Sequence, residues 1–157
     1  MATMTPSTWP DLLEPPELRR VDALLSEFWR QLAGLPDLIQ RQEHILAERC
    51  TAELRSLVIE MMLALNGIRW PAETKHLNTY LGDSQRAVLE RTLVTAQGDG
   101  HAWIARAVAL VVIYRWYAPQ LVTRYNLAYP DQVEHDVWRL LVQELPGWPQ
   151  TITTEDG

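Results

Sequence analysis

Apolar side chains recur every three or four positions through most of this chain, a period that reads as amphipathic helix. Leu18, Val21, Leu24, Leu25, Phe28, Trp29 and Leu32 form one such stripe. They predict a first helix that opens at Pro16, where a missing N–H has no partner to lose, and runs to about Ala33 with Gly34 as terminator. After a tight Gly34-Leu35-Pro36-Asp37 connection, Leu38, Ile39, Ile45, Leu46, Leu54, Leu57, Val58, Met61, Met62 and Leu65 predict a long second helix. It ends at Asn66-Gly67 and should pair antiparallel with the first. Trp70-Pro71 interrupts the pattern, since a residue before proline is pushed away from the α region. A short helix over about 72–80 is expected next. Asp83 or Ser84, in the Gly82-Asp83-Ser84 turn, should cap a fourth helix that reaches Ala96 and carries Val88, Leu89, Leu93 and Val94.

Residues 97–100 (Gln-Gly-Asp-Gly) read as the most flexible internal loop. A fifth helix over about 102–126 is apolar nearly all round at 107–114, which predicts a central element, with a kink at Pro119. Tyr129-Pro130-Asp131 opens a last helix bearing Val133, Val137, Leu140, Leu141 and Leu145. No alternating run stands clear of these signals. The predicted fold is all-α, a compact bundle of five to six helices with the long second and fifth central and no sheet. Residues 1–14 are expected to form a flexible leader, 15–145 the bundle and 146–157 a flexible tail.

At 157 residues and 47% hydrophobic content, the chain can fill one core. Its formal net charge is −6, from 20 acidic against 14 basic residues. That balance disfavours general binding to nucleic acid or anionic membranes, which needs excess Lys and Arg, and suits a cationic or polar ligand. A single cysteine, Cys50, can form neither an intrachain disulfide nor a cysteine-based zinc site, so a reducing cytoplasm is the expected setting. The first eleven residues lack the basic-then-apolar pattern of a secretory signal. The most apolar run, 107–114, is far shorter than the roughly 20 residues a bilayer requires.

Self-sufficient chemistry is hard to find. His44, His76, His101 and His135 are scattered. Glu73 and His76 have the i, i+3 spacing of a metal-binding helix pair, but the second pair a di-metal bundle needs is missing, so no metal or cofactor is expected. Glu134-His135-Asp136 reads as a solvated helix face. Cys50 has the mid-helix setting of a structural thiol rather than a nucleophile. Gly98-Asp99-Gly100 follows no strand and is no phosphate loop. Seven tryptophans and five tyrosines are the compositional oddity. Trp103, Tyr114, Trp116 and Tyr117 could line an aromatic pocket or pack the core.

One stretch carries a resemblance. Phe28-Trp29 is followed by Pro36, Ile39 and Arg41-Gln42-Glu43, then Leu54-Arg55. Asn66-Gly67-Ile68-Arg69-Trp70-Pro71 comes next, with Lys75-His76-Leu77-Asn78 and Tyr80-Leu81. This order resembles the C-terminal helical domain of bacterial nucleotidyltransferases of the aminoglycoside- and lincosamide-modifying type. The likeness covers the first four helices. The family's catalytic domain, with its Gly-Ser loop and Asp-x-Asp pair, has no counterpart here: no two aspartates stand two residues apart. Without metal-holding carboxylates, nucleotidyl transfer is outside the reach of this chain alone.

The resemblance implies a non-catalytic helical domain that supplies part of an acceptor-substrate wall, acting with a separate catalytic domain or subunit. By position it implies Arg41, Glu43, Lys75 and His76 as cleft-facing residues; ordinary surface and interhelix ion pairs are the alternative for all four. Two other readings stand beside it. Small helical HEPN ribonucleases, some of them toxin–antitoxin components, use an Arg and a His with four to six residues between them on one helix. Arg69 and His76 match that spacing, but Pro71 lies between them and Trp70 follows the Arg. A structural homodimer would instead use exposed Trp and Tyr as an interface.

Overall fold

The computed structural model describes residues 9–93 and 99–152. All regular structure among them is helical: α1 (Leu18–Leu32), α2 (Leu35–Gln40), α3 (His44–Leu65), α4 (Leu77–Tyr80), α5 (Asp83–Arg91), α6 (Gly100–Tyr125) and α7 (Asp131–Glu144). None of these helices is long and apolar enough to cross a membrane.

α3 and α6 form the centre, as the all-round apolar run of α6 predicts. Met61, Met62, Leu63 and Ala64 are all buried at the end of α3, and Ala107, Leu110, Val111, Ile113, Tyr114, Ala118 and Leu121 along α6. The two run parallel: His44 meets Trp103 at one end, and the Leu65 carbonyl accepts from Arg124 at the other. α1 runs antiparallel to α3, with Arg20 beside Glu60 and Gln31 beside Glu53. α7 is antiparallel to α6, placing Glu134 on Arg115 while Gly147 approaches Ile104. α1 buries the expected stripe, Val21, Leu24, Leu25, Phe28, Trp29 and Leu32, although Leu18 is half exposed. Where α1 meets α6, Phe28 stacks on Tyr114 at 4.5 Å, Trp29 meets the same ring edge-on at 5.2 Å, and Tyr114 donates to the Leu25 carbonyl at 2.8 Å.

Several boundaries differ from the periodicity. The expected second helix is broken at residues 41–43. Gln42 takes φ +57°, its N–H donates to the Ile39 carbonyl, and the Glu43 N–H donates back to Leu38. This is the left-handed closure usually given to glycine. α3 then restarts in a new phase, so Ile45 and Leu46, expected in the core, are 86% and 43% exposed, and Ala47 and Cys50 are buried instead. Gly67, at φ +92°, ends α3 through the same closure, with Ile68 donating to Leu63.

The short helix expected over 72–80 shrinks to α4, because Glu73 at φ +57° breaks the chain before it. α5 is capped by Gly82 rather than Asp83 or Ser84; Gln85 Oε1 accepts from the Gly82 N–H at 2.8 Å. It stops at Arg91, and the part of the expected helix at 94–96 falls outside the described residues. So do 97 and 98 of the expected loop, whereas Asp99 caps α6 by accepting from the Ala102 N–H. α6 continues through Pro119. The Trp116 carbonyl accepts the Gln120 side-chain amide at 2.8 Å. Packing also reaches past both ends of the 15–145 span: Trp9 lies on Tyr80 at 5.8 Å, Trp148 is buried against Trp138 at 5.4 Å, and Trp138 donates to the Gln150 carbonyl.

Candidate functional site

A groove runs along the seam of α1 and α3. A hollow of ≈ 460 Å³ is lined by Arg20, Glu27, Arg30, Gln31, Glu53, Ser56, Leu57, Glu60 and Trp70. A smaller one of ≈ 200 Å³ adjoins it across Arg20 and Glu60, and takes in Glu17 and Arg69. A third, of ≈ 310 Å³, continues past Arg69 and Trp70 to Asp11 and Glu14. Together these walls hold six carboxylates against three guanidiniums, with Trp70 as an aromatic side.

The seam is polar because α1 turns its apolar stripe into the core, leaving Arg20, Glu27 and Gln31 at its edge beside α3. Arg20 donates through Nε and Nη2 to the two oxygens of Glu60, both at 2.8 Å, and through Nη1 to Glu27 at 3.0 Å. The Glu60 hydrogen bonds raise the Arg20 guanidinium above its ordinary value, outweighing its partial burial. Further along, Arg69 pairs with Glu14 at 3.1 Å and Glu17 at 2.6 Å. The chain before α1 is fastened there too. Asp11 Oδ2 accepts from Thr74 Oγ1 and Tyr80 Oη, and those bonds hold its carboxyl below the usual value.

The residues expected to face a cleft do not converge. Arg41 is exposed at the end of α2 and pairs with Asp37 at 3.3 Å; Glu43 is the residue before α3. Lys75 and His76 are exposed just before α4, where the His76 N–H donates to Thr74 Oγ1. α3, 22 residues long and therefore roughly 33 Å, separates the two pairs. Both segments sit beside a non-glycine residue in the left-handed region, Gln42 and Glu73, a conformation that bulky side chains rarely adopt. Glu73 and His76 share no helix, and neither do Arg69 and His76. Among the described residues, no three His, Cys, Asp or Glu side chains gather to hold a metal.

The four aromatics are also dispersed along α6. Trp103 is buried, donates through Nε1 to His44 Nδ1 at 3.1 Å and carries Arg106 over its ring. Tyr114 belongs to the core cluster, where burial raises its phenol. Tyr117 is buried and Trp116 is 60% exposed. Cys50 is buried against the Gln31 carbonyl, and burial pushes its thiol up to about 11.

A second concavity, ≈ 650 Å³ and open, lies between α6 and α7 and is lined by Arg115, Pro119, Tyr129, Asp131, Glu134, His135 and Trp138. Glu134, read from the sequence as part of a solvated face, has a side chain only 16% exposed; its Oε1 accepts from Arg115 Nε and Nη2 at 3.1 and 2.9 Å. The Arg115 guanidinium lies 4.6 Å from the Trp138 ring centroid. The periodicity gave no sign of either concavity's polar residues.

No family model, no curated protein and no solved structure matches the chain.

Proposed function

We propose that this chain is a non-catalytic helical binding domain whose α1–α3 groove takes a small polycation, as the acceptor-side partner of a separate nucleotidyltransferase-type catalytic subunit. The supporting observation is the groove's charge: six carboxylates against three guanidiniums around Trp70. A chain of ammonium groups complements such a surface, and an aromatic face adds a cation–π contact. The hollow at its centre falls within the few hundred cubic ångströms that small-molecule sites occupy. The family resemblance supplies the second half of the reading, and four of the residues that carry it, Ile68, Arg69, Trp70 and Pro71, line the groove.

Calorimetry with spermidine and with kanamycin tests the binding step. Saturable binding is expected, weakened by added salt as exposed charge pairs are screened. Loss of one carboxylate in Glu53→Gln should weaken it roughly tenfold, or about 1.4 kcal/mol. Absence of saturable binding by both amines contradicts the reading. Co-purification with a catalytic nucleotidyltransferase subunit expressed alongside tests the partnership separately.

A further inference from the structure

The α6–α7 cleft stands apart from the groove and has different chemistry. Its central cation, Arg115, is held by an ion pair to Glu134 and lies over two indoles, Trp138 at 4.6 Å and Trp29 at 6.0 Å. Glu134 Oε1 takes the Nε and Nη2 edge of the guanidinium, and Trp138 underlies its plane. Nη1 makes no hydrogen bond to protein among the described residues, while the side chain keeps 25% of its surface exposed and lines the cleft. Two strong donors on a charged, preorganised plane therefore await an acceptor, and a carboxylate matches them.

The same cleft holds an unbalanced negative charge. Glu134 is matched by Arg115, but Asp131, exposed in the first turn of α7, makes no ion pair among the described residues. Pro119, Tyr129 and Trp138 supply an apolar wall beside these two charges. A simple anion would meet Asp131, and a polycation would meet Arg115. A compound carrying one charge of each sign and an apolar body satisfies all three features.

We propose that the α6–α7 cleft binds a free α-amino acid with an aromatic or large apolar side chain, its carboxylate on Arg115, its ammonium on Asp131 and its side chain against Trp138 and Pro119. This site shares no lining residue with the α1–α3 groove.

Calorimetry on the whole chain with three probes tests this: phenylalanine, N-acetylphenylalanine, which lacks the ammonium, and phenylalaninamide, which lacks the carboxylate. Phenylalanine should bind roughly tenfold more tightly than either analogue, the worth of one charge-assisted pair. Asp131→Asn, an exposed change that spares the fold, should reduce phenylalanine to the affinity of its N-acetyl form. Arg115→Lys keeps the charge opposite Glu134 but loses the planar donors, and should narrow the preference for phenylalanine over its amide. Glu53→Gln in the other groove should leave phenylalanine binding unchanged. No saturable phenylalanine binding at millimolar concentration, equal binding of all three probes, or an unaltered Asp131→Asn variant would each overturn the proposal.

Discussion

Arg20 of α1 grips Glu60 of α3 with two hydrogen bonds of 2.8 Å, and the same guanidinium touches Glu27 at 3.0 Å. The groove thus already holds a cation of its own, placed where two of its hollows meet. Removing it should expose two carboxylates to an incoming ammonium. Arg20→Ala is therefore expected to tighten spermidine binding. Arg20 and Glu27 are about 40% exposed but the bidentate partner Glu60 only 22%, so the stability lost should be about 1–2 kcal/mol. Calorimetry and a urea midpoint on the same variant check both halves.

Tyr114 tests the core. Its hydroxyl donates to the Leu25 carbonyl in a buried setting, so Tyr114→Phe should cost about 1 kcal/mol. Tyr114→Ala also empties the space between Phe28 and Trp29 and should cost about 3–5 kcal/mol. Denaturant midpoints that place the two variants together would refute this packing.

The break before α3 makes a prediction of opposite sign. Gln42 adopts φ +57°, which disfavours any residue with a Cβ, so Gln42→Gly should stabilise the fold by about 1 kcal/mol. Gly67→Ala should destabilise it, because φ is +92° and the new Cβ would lie 3.3 Å from Arg124 Nη2. Thermal unfolding of both variants gives the signs.

Acid should loosen the chain ahead of α1. Asp11 has its carboxyl held below the usual aspartate value in the folded state, first by the Thr74 hydroxyl and then by the Tyr80 hydroxyl. A depressed folded value means that its stabilising contribution is complete above the unfolded value and is lost as pH falls through the folded one. NMR titration of the Asp11 carboxyl carbon should show a midpoint below that of an unperturbed aspartate, with the contact between Trp9 and Tyr80 weakening over the same range. Asp11→Asn should abolish that step.

The helical stripe of α1 and the all-round apolar run of α6 were legible because a 3.6-residue period records burial directly. The central place of α3 and α6 followed from the same signal. What escaped were features with no local signature. Gln42 and Glu73 close left-handed turns without the glycine that normally marks them, so the second helix read as unbroken and Ile45 and Leu46 were assigned to the wrong face. Trp116 and Tyr114 are alike in composition, yet only the position of neighbouring helices decides that one is exposed and the other central. The groove is a tertiary product: Arg20 and Glu60 are forty residues apart, and no spacing rule connects them.

The location of a bound polycation tests the central claim most directly. In an amide NMR titration with spermidine, shifts are expected to concentrate at Glu27, Gln31, Glu53, Ser56, Glu60 and Trp70, with the α6–α7 cleft undisturbed. Shifts scattered over all acidic surfaces, or confined to regions away from α1 and α3, would contradict the assignment of this groove as a binding site.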